Sequence, residues 1–495
     1  MEDTKSGFSQ ILKATSLFGG VQVFTIIFSI ARTKFVAVLL GPAGLGIIGL
    51  YNSTIEFFGA ATNFGLSTTG VRDLAEAHNE DDESRVARTI SVIRNLVWIT
   101  GLLGMSVLVL LSPVLSRLVF GSSAYTLGFV IVSMTLLFNQ LMSGRMVLMQ
   151  GLRRLSLLAK CSILNAFASL IISVPLYYFF GEKGIVPAII SISITGLVIA
   201  WYFSNKVSYH TVHVSLKNSL IEGKGMLRLG FFIGLSGLMA LGSAYILRIF
   251  ISNVGNLEDV GFYNAGFAII NTYVGLVFSA MATDYFPRLS GVIQDVKVFS
   301  KVVNQQMEIA ILLLGPILCW FIIYINPVIV ILYSNAFEPI NEMLLWSGAG
   351  MIFKGIGWSL GFVVLAKGNS KLFFNNELIA LVYQFLLNIG GYYFFGLKGL
   401  GVAFFISYVL YSIQILAVCR WKYKFLWDSN IVKKFSILFL LILLCLGCFY
   451  FLPTIYQYIV GSLVSILASI YTVFELNRST DFLSKAINKF KNRGL

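Results

Sequence analysis

Predominantly apolar stretches of 18 or more residues recur from one end of this 495-residue chain to the other. At about 1.5 Å per residue, each is long enough to cross a hydrocarbon core about 30 Å thick. Lipid offers no partner to an exposed backbone N–H or C=O, so segments inside it must be helices or a closed barrel, and runs of ~20 residues select helices. The expected fold class is all-α integral membrane. Composition agrees, with 57% hydrophobic and 12% charged residues, about half the charge of an ordinary soluble domain.

Apolar runs between polar breaks predict about fourteen transmembrane helices, near 12–38, 43–67, 92–117, 123–149, 155–180, 184–205, 227–252, 259–285, 303–333, 341–366, 371–395, 397–419, 431–451 and 455–475. No small-residue cleavage site follows the first apolar stretch of Met1 to Gly20, so the first span is expected to act as its own insertion signal. Basic residues concentrate on the cytoplasmic side of spans. With the N-terminus inside, 29 of the 36 Lys and Arg fall in inner connections and only Arg117, Lys183 and Lys398 in outer ones. Both termini are therefore expected in the cytoplasm.

The formal charge of +14 has this topological explanation, and no nucleic-acid partner is expected. Cys161, Cys319, Cys419, Cys445 and Cys448 all lie in apolar runs without metal-ligand spacing, so neither a disulfide nor a metal site is expected. His78, His210 and His213 fall in inner connections and read as solvated loop residues. From Ser479 to Leu495, Phe482, Leu483, Ala486, Ile487 and Phe490 share one helical face beside Lys485, Lys489 and Lys491, the pattern of a helix lying on anionic headgroups.

The chain repeats itself. Gly49-Leu50-Tyr51-Asn52 returns as Gly261-Phe262-Tyr263-Asn264, offset by 212, and Pro113-Val114-Leu115 as Pro327-Val328-Ile329, offset by 214. Tyr177-Tyr178-Phe179-Phe180-Gly181-Glu182-Lys183-Gly184 returns as Tyr392-Tyr393-Phe394-Phe395-Gly396-Leu397-Lys398-Gly399, offset by 215 with seven identities in eight. The offset spans six helices, an even number, so the copies are parallel repeats entering from the same side. The expected organisation is an N-terminal lobe over 1–208, a cytoplasmic linker over 209–226, a C-terminal lobe over 227–425, two added helices over 426–476 and a cytoplasmic amphipathic tail over 477–495. Two like lobes with a cleft between them suit alternating access, which points to transport.

Charges inside the spans are the candidate site. Each costs roughly 2.5–3.5 kcal/mol near the bilayer centre, so such residues face a watery cavity, find a partner or snorkel. Arg32, Lys34 and Arg248 sit toward outer helix ends, and Lys34 aligns with Arg248 across the repeat. Lys354 lies mid-span, beyond the reach of snorkelling. The deepest acid is Glu56, a candidate coupling group or partner for a base; Asn52 and Asn264 are candidate cavity amides or helix-contact residues. Bases outnumber acids at depth, and a low-dielectric cleft of that sign attracts a large anion such as a phosphate or pyrophosphate.

Leu39-Leu40-Gly41-Pro42-Ala43-Gly44-Leu45-Gly46-Ile47-Ile48-Gly49-Leu50-Tyr51 resembles the turn between the first two helices of bacterial polysaccharide flippases of the Wzx type, in the superfamily that also holds MATE multidrug exporters and lipid II flippases. The six-plus-six-plus-two plan resembles that superfamily along essentially the whole chain. The resemblance implies a MATE-like fold and a substrate of undecaprenyl-pyrophosphate-linked oligosaccharide, an O-antigen or capsule repeat unit, moved from the cytoplasmic to the periplasmic leaflet through a cationic cavity. It gives Arg32, Lys34, Arg248 and Lys354 the role of substrate-binding bases, and the last two helices that of a groove for the lipid tail. No enzyme activity and no cofactor are expected beyond a coupling ion, H+ or Na+. Membrane lipids and polysaccharide polymerase machinery are the expected partners. A MATE-like cation exporter and a lipid II flippase are alternatives; a membrane polymerase or ligase is disfavoured by the short outer connections.

Overall fold

A computed structural model describes residues 2–80, 82–209 and 212–480. The tail beyond 480 and His210 lie outside the described residues. Every element among the described residues is helical. The chain falls into two compact units, Met1–Gly261 with Leu332–Ser334, and Phe262–Ile331 with Asn335–Leu495.

The first unit contains α1 (Glu2–Asn63), α2 (Leu66–Asn79), α3 (Glu83–Phe120), α4 (Thr126–Gly151), α5 (Leu155–Phe180), α6 (Ile185–Ser204), α7 (Leu216–Glu222) and α8 (Lys224–Val254). In the second are most of α9 (Leu257–Ala268), then α10 (Leu276–Val292), α11 (Val296–Ile323), most of α12 (Ile325–Leu332), α13 (Asn341–Ala366), α14 (Ser370–Tyr423), α15 (Ser429–Phe451) and α16 (Thr454–Thr480). Helix α8, the expected first span of the second lobe, sits in the first unit. Its side chains explain this: Tyr245 is hydrogen-bonded to Thr54 at 3.0 Å, Ser252 donates to the Val119 carbonyl at 2.9 Å and Asn253 to that of Leu118 at 2.8 Å.

Ten helical segments among the described residues are long and apolar enough to cross a membrane, so this is a multi-pass membrane protein. Three of them, Gly20–Asn63, Leu155–Ser204 and Ser370–Tyr423, run to 44, 50 and 54 residues, twice what one crossing needs. Each bends at a glycine with positive φ: Gly41 at 64°, Gly181 at 56° and Gly396 at 58°. Only glycine adopts this region without steric cost. The arms of α14 pack on each other, since Gln414 bonds the Asn376 carbonyl at 3.0 Å and Tyr411 bonds Glu377 at 2.7 Å. Gly181 and Gly396 are equivalent positions of the repeated octapeptide, and their ψ values agree as well, at −135° and −141°.

The repeated proline, at Pro113 and Pro327, shows how one residue type can have two outcomes. A proline inside a helix frees the carbonyl four residues back and crowds it. In α3 the Ser112 hydroxyl donates to the Val109 carbonyl freed by Pro113, at 2.7 Å, and the helix continues to Phe120. No hydroxyl precedes Pro327, where Asn326 instead accepts from Asn341. The expected single span over 303–333 is accordingly broken into α11 and α12 at Tyr324. The expected span over 259–285 is likewise divided, by a π-helical turn at Ile269–Val274.

Polar contacts tie the ends of these helices. Asp82, Asp295 and Asp428 cap α3, α11 and α15 by accepting backbone N–H groups. Lys434 lies between Glu308 at 2.6 Å and Glu475 at 2.8 Å, all three largely buried, joining α11, α15 and α16. Lys434 is one of the 29 bases that the sequence assigns to inner connections; its position between two carboxylates depends on how the helices pack.

Candidate functional site

The bend at Gly41 brings two stretches of α1 to one cavity. Thr25, Ser29 and Arg32 precede the bend, Asn52 and Glu56 follow it, and all five line a cavity of about 470 Å3 within the first unit. Helix α4 adds Thr135 and Asn139, α5 adds Ser162, Asn165 and Ser169, and α6 adds Ser193 and Gly196. The lining is mostly hydroxyls and carboxamides on membrane-spanning helices, with one guanidinium and one carboxylate. Its formal charge is therefore balanced, and its hydroxyls and carboxamides can exchange hydrogen bonds with a polyhydroxylated ligand.

Three of the residues singled out from sequence, Arg32, Asn52 and Glu56, are brought together here. Arg32 is half-buried, and its Nε is a buried donor with no hydrogen-bond partner among the described residues; the Thr135 hydroxyl in the same wall is in the same condition. A buried charged donor left unsatisfied is costly unless a ligand completes it. Gly196 leaves the space open: a side chain there would meet the Met142 sulfur at 2.9 Å and the Asn165 carboxamide at 3.1 Å. Lys34 and Arg248 are half-buried and outside this lining, and the Arg248 guanidinium donates to the Ala244 carbonyl at 3.1 Å.

Lys354 belongs to a different constellation, in the second unit. Its ammonium donates to Asn271 Oδ1 at 2.9 Å and stands 5.2 Å from the Tyr408 ring centroid and 5.7 Å from that of Phe404. Those two rings are tilted together at 4.6 Å. A cation over ring faces is stabilised by their quadrupoles, more so when desolvated. Asn271 is on the π-helical turn, whose wider coil re-aims side chains. Beyond Tyr408, Tyr411 donates to Glu377. Asn264 lies half-buried on α9, while Tyr51 packs between Phe120 and Phe129 at 5.3 and 5.0 Å, a helix-contact role.

Sequence reasoning missed Asn139, Asn165, Ser193 and Asn271. All four carried a signal, being polar residues inside apolar runs; that Asn271 meets Lys354 depends on how the helices pack. No cluster of His, Cys, Asp and Glu able to hold a metal occurs among the described residues.

Residues 35–342 match the model of a family described as "Polysaccharide biosynthesis protein". The chain belongs to this polysaccharide biosynthesis protein family. The turn at Leu39 to Tyr51, which resembles that of Wzx-type flippases, lies inside the matched region. Among curated relatives, the protein named "Putative O-antigen transporter" of Shigella flexneri is 25% identical over 372 residues, 71% of this chain and 84% of its own. The protein named "Lipid III flippase" of Escherichia coli (strain K12) is 22% identical over 394 residues, 76% of this chain and 90% of its own. These relatives are named as transporters and flippases, not as catalysts. The fold is that of the lipid II flippase MurJ in an inward closed conformation, with TM-score 0.70 and 16% identity over 94% of this chain and 99% of that one. An inward-facing MATE family multidrug transporter is also similar, with TM-score 0.64 and 14% identity over 80% of this chain and 96% of that one.

Proposed function

We propose that this family member is a flippase that moves an undecaprenyl-pyrophosphate-linked oligosaccharide, an O-antigen or capsule repeat unit, from the cytoplasmic to the periplasmic leaflet of the bacterial inner membrane by alternating access. The observation that carries the proposal is the unsatisfied Arg32 Nε in a cavity lined by hydroxyls and carboxamides. Hydroxyls and amides exchange hydrogen bonds with sugars, and a guanidinium matches phosphate oxygens bidentately. The names of the curated relatives agree with a lipid-linked glycan as substrate.

In this reading the chain crosses the membrane fourteen times, as two parallel six-helix lobes and two further helices, with both termini in the cytoplasm. The bends at Gly41, Gly181 and Gly396 and the segment interrupted at Ile269–Val274 support that count, since each doubles or restores a crossing. Lys354, Lys34 and Arg248 supply further positive charge to the pathway, Glu56 takes the coupling proton or sodium, and polysaccharide polymerase machinery receives the product. An exporter of organic cations is disfavoured because bases outnumber acids inside the spans, a surplus that repels a cationic substrate.

Translocation of a lipid-linked oligosaccharide in proteoliposomes tests the proposal. Arg32→Gln should lower the rate about 100-fold, in line with the loss of a charge-assisted bidentate contact, while Arg32→Lys should keep part of it. A wild-type rate for Arg32→Gln at equal protein level would overturn the assignment.

A further inference from the structure

A second cavity in the first unit, about 350 Å3, lies among α3, α4 and α6 and shares none of the lining of the Arg32 cavity. Its floor is apolar core, including Leu74, Ile93 and Val97. Two guanidiniums line it, Arg94 from α3 and Arg145 from α4, and no carboxylate does. Arg145 donates to the Tyr209 hydroxyl, another lining residue, at 3.4 Å. The rim is open to the surroundings of the helices, with Trp98 45%, Val198 54% and Trp201 52% exposed.

Two positive charges over an apolar floor, with no acid to offset them, call for a ligand that is both anionic and apolar. Paired tryptophans at the rim mark headgroup depth, where an amphipathic ring has one side in hydrocarbon and the other near water. Basic pockets between membrane helices at that depth suit lipid phosphates. The volume is at the lower end for ligand sites, enough for a phosphodiester and the start of its chains but not for a headgroup bearing an oligosaccharide. A soluble anion would gain nothing from the apolar floor.

We propose that this cavity is a binding site for one anionic glycerophospholipid, its phosphate held by Arg94 and Arg145 and an acyl chain lying along Trp98, Val198 and Trp201. The proposal is independent of the transport reading, because it concerns a resident lipid and its test measures no translocation.

The experiment is tryptophan quenching by brominated lipids, with the full chain reconstituted in phosphatidylcholine and either brominated phosphatidylglycerol or brominated phosphatidylcholine added. The local signal is the difference between the wild type and Trp98→Phe/Trp201→Phe. Each arginine should contribute roughly fivefold, so brominated phosphatidylglycerol should be preferred about 25-fold. Arg94→Gln/Arg145→Gln should reduce this to near parity, Arg94→Lys/Arg145→Lys should retain most of it, and Lys217→Gln/Lys224→Gln, in the α7 region, should leave it unchanged. If the Gln pair fails to fold, the wild type and the Lys pair still decide the matter. Equal quenching by the two brominated lipids in the wild type would overturn the proposal. So would an undiminished preference in the Gln pair, or displacement of phosphatidylglycerol by an equal amount of undecaprenyl pyrophosphate.

Discussion

The offset of 215 residues sets the Arg32 cavity of the first unit against the Lys354 constellation of the second: Asn139 corresponds to Lys354, Ser162 to Glu377, Ile189 to Phe404, Ser193 to Tyr408 and Gly196 to Tyr411. The backbones agree at positions where side chains do not. Arg153 and Gly368, also 215 apart, both adopt positive φ, at 54° and 69°, as do Gly181 and Gly396. On one side small polar residues leave an open space; on the other, aromatic rings occupy it and hold a charge. A duplicated framework has thus kept its bends, which are demanded by chain reversal, and exchanged its contents, which are not. The lesson is that small residues opposite large ones decide whether this position of the framework is open or filled.

Exchanging contents is the most direct way to break this comparison. Gly196→Tyr gives the first unit the residue of the second, places a ring where Met142 and Asn165 converge, and should lower translocation about 100-fold while leaving the protein inserted. Full activity would show that the cavity is not on the substrate's route. Next in size is the charge at Lys354: Lys354→Glu should cost about 30-fold, Lys354→Gln less, and Lys354→Arg least, following the charge-assisted contacts to Asn271 and the ring faces. A gain of transport in Lys354→Glu would reverse the inferred sign of the substrate.

Tyr411→Phe should be milder. It removes the donor to Glu377 without opening space, and should lower thermal stability by about 1.5 kcal/mol with translocation reduced only severalfold. An unchanged melting temperature would mean that the pair is not formed in the bilayer. The smallest effect lies outside both regions, where Arg88 on α3 donates twice to Glu222 of α7, at 2.7 and 2.8 Å. The Arg88 hydrogen bonds hold the Glu222 carboxyl below its ordinary value. A depressed carboxyl stabilises its partner's position above the unfolded-state value and loses that effect as pH falls through the folded one. Hydrogen exchange in the α7 segment should therefore accelerate relative to its intrinsic rate below about pH 4, and Glu222→Gln should show the faster exchange already at pH 7. Identical protection in both proteins at pH 7 would remove the pair from the account.

Much of this was legible beforehand. Apolar run length marked the helices because lipid leaves the backbone no other option, and the octapeptide repeat marked the two bends at Gly181 and Gly396 because glycine is required at positive φ. Arg32, Asn52 and Glu56 stood out as polar residues in apolar surroundings. Their convergence did not, since 20 residues and a bend separate Arg32 from Asn52, and only packing says which faces meet. The breaks at Tyr324 and at Ile269–Val274 were hidden for a similar reason: hydropathy is blind to where a freed carbonyl finds its donor.

What the sequence determined alone is the solvent, the helical class and the duplication, because these follow from transfer energies and local backbone preferences that each segment carries with it. The tertiary structure decided that Arg32 opens into a cavity while Lys354 is held by Asn271 and two rings, and that Arg94 and Arg145 share one apolar pocket. Those outcomes depend on which side chains from distant segments are brought within a few ångströms of one another, a property of the packed helices that no single run of residues contains.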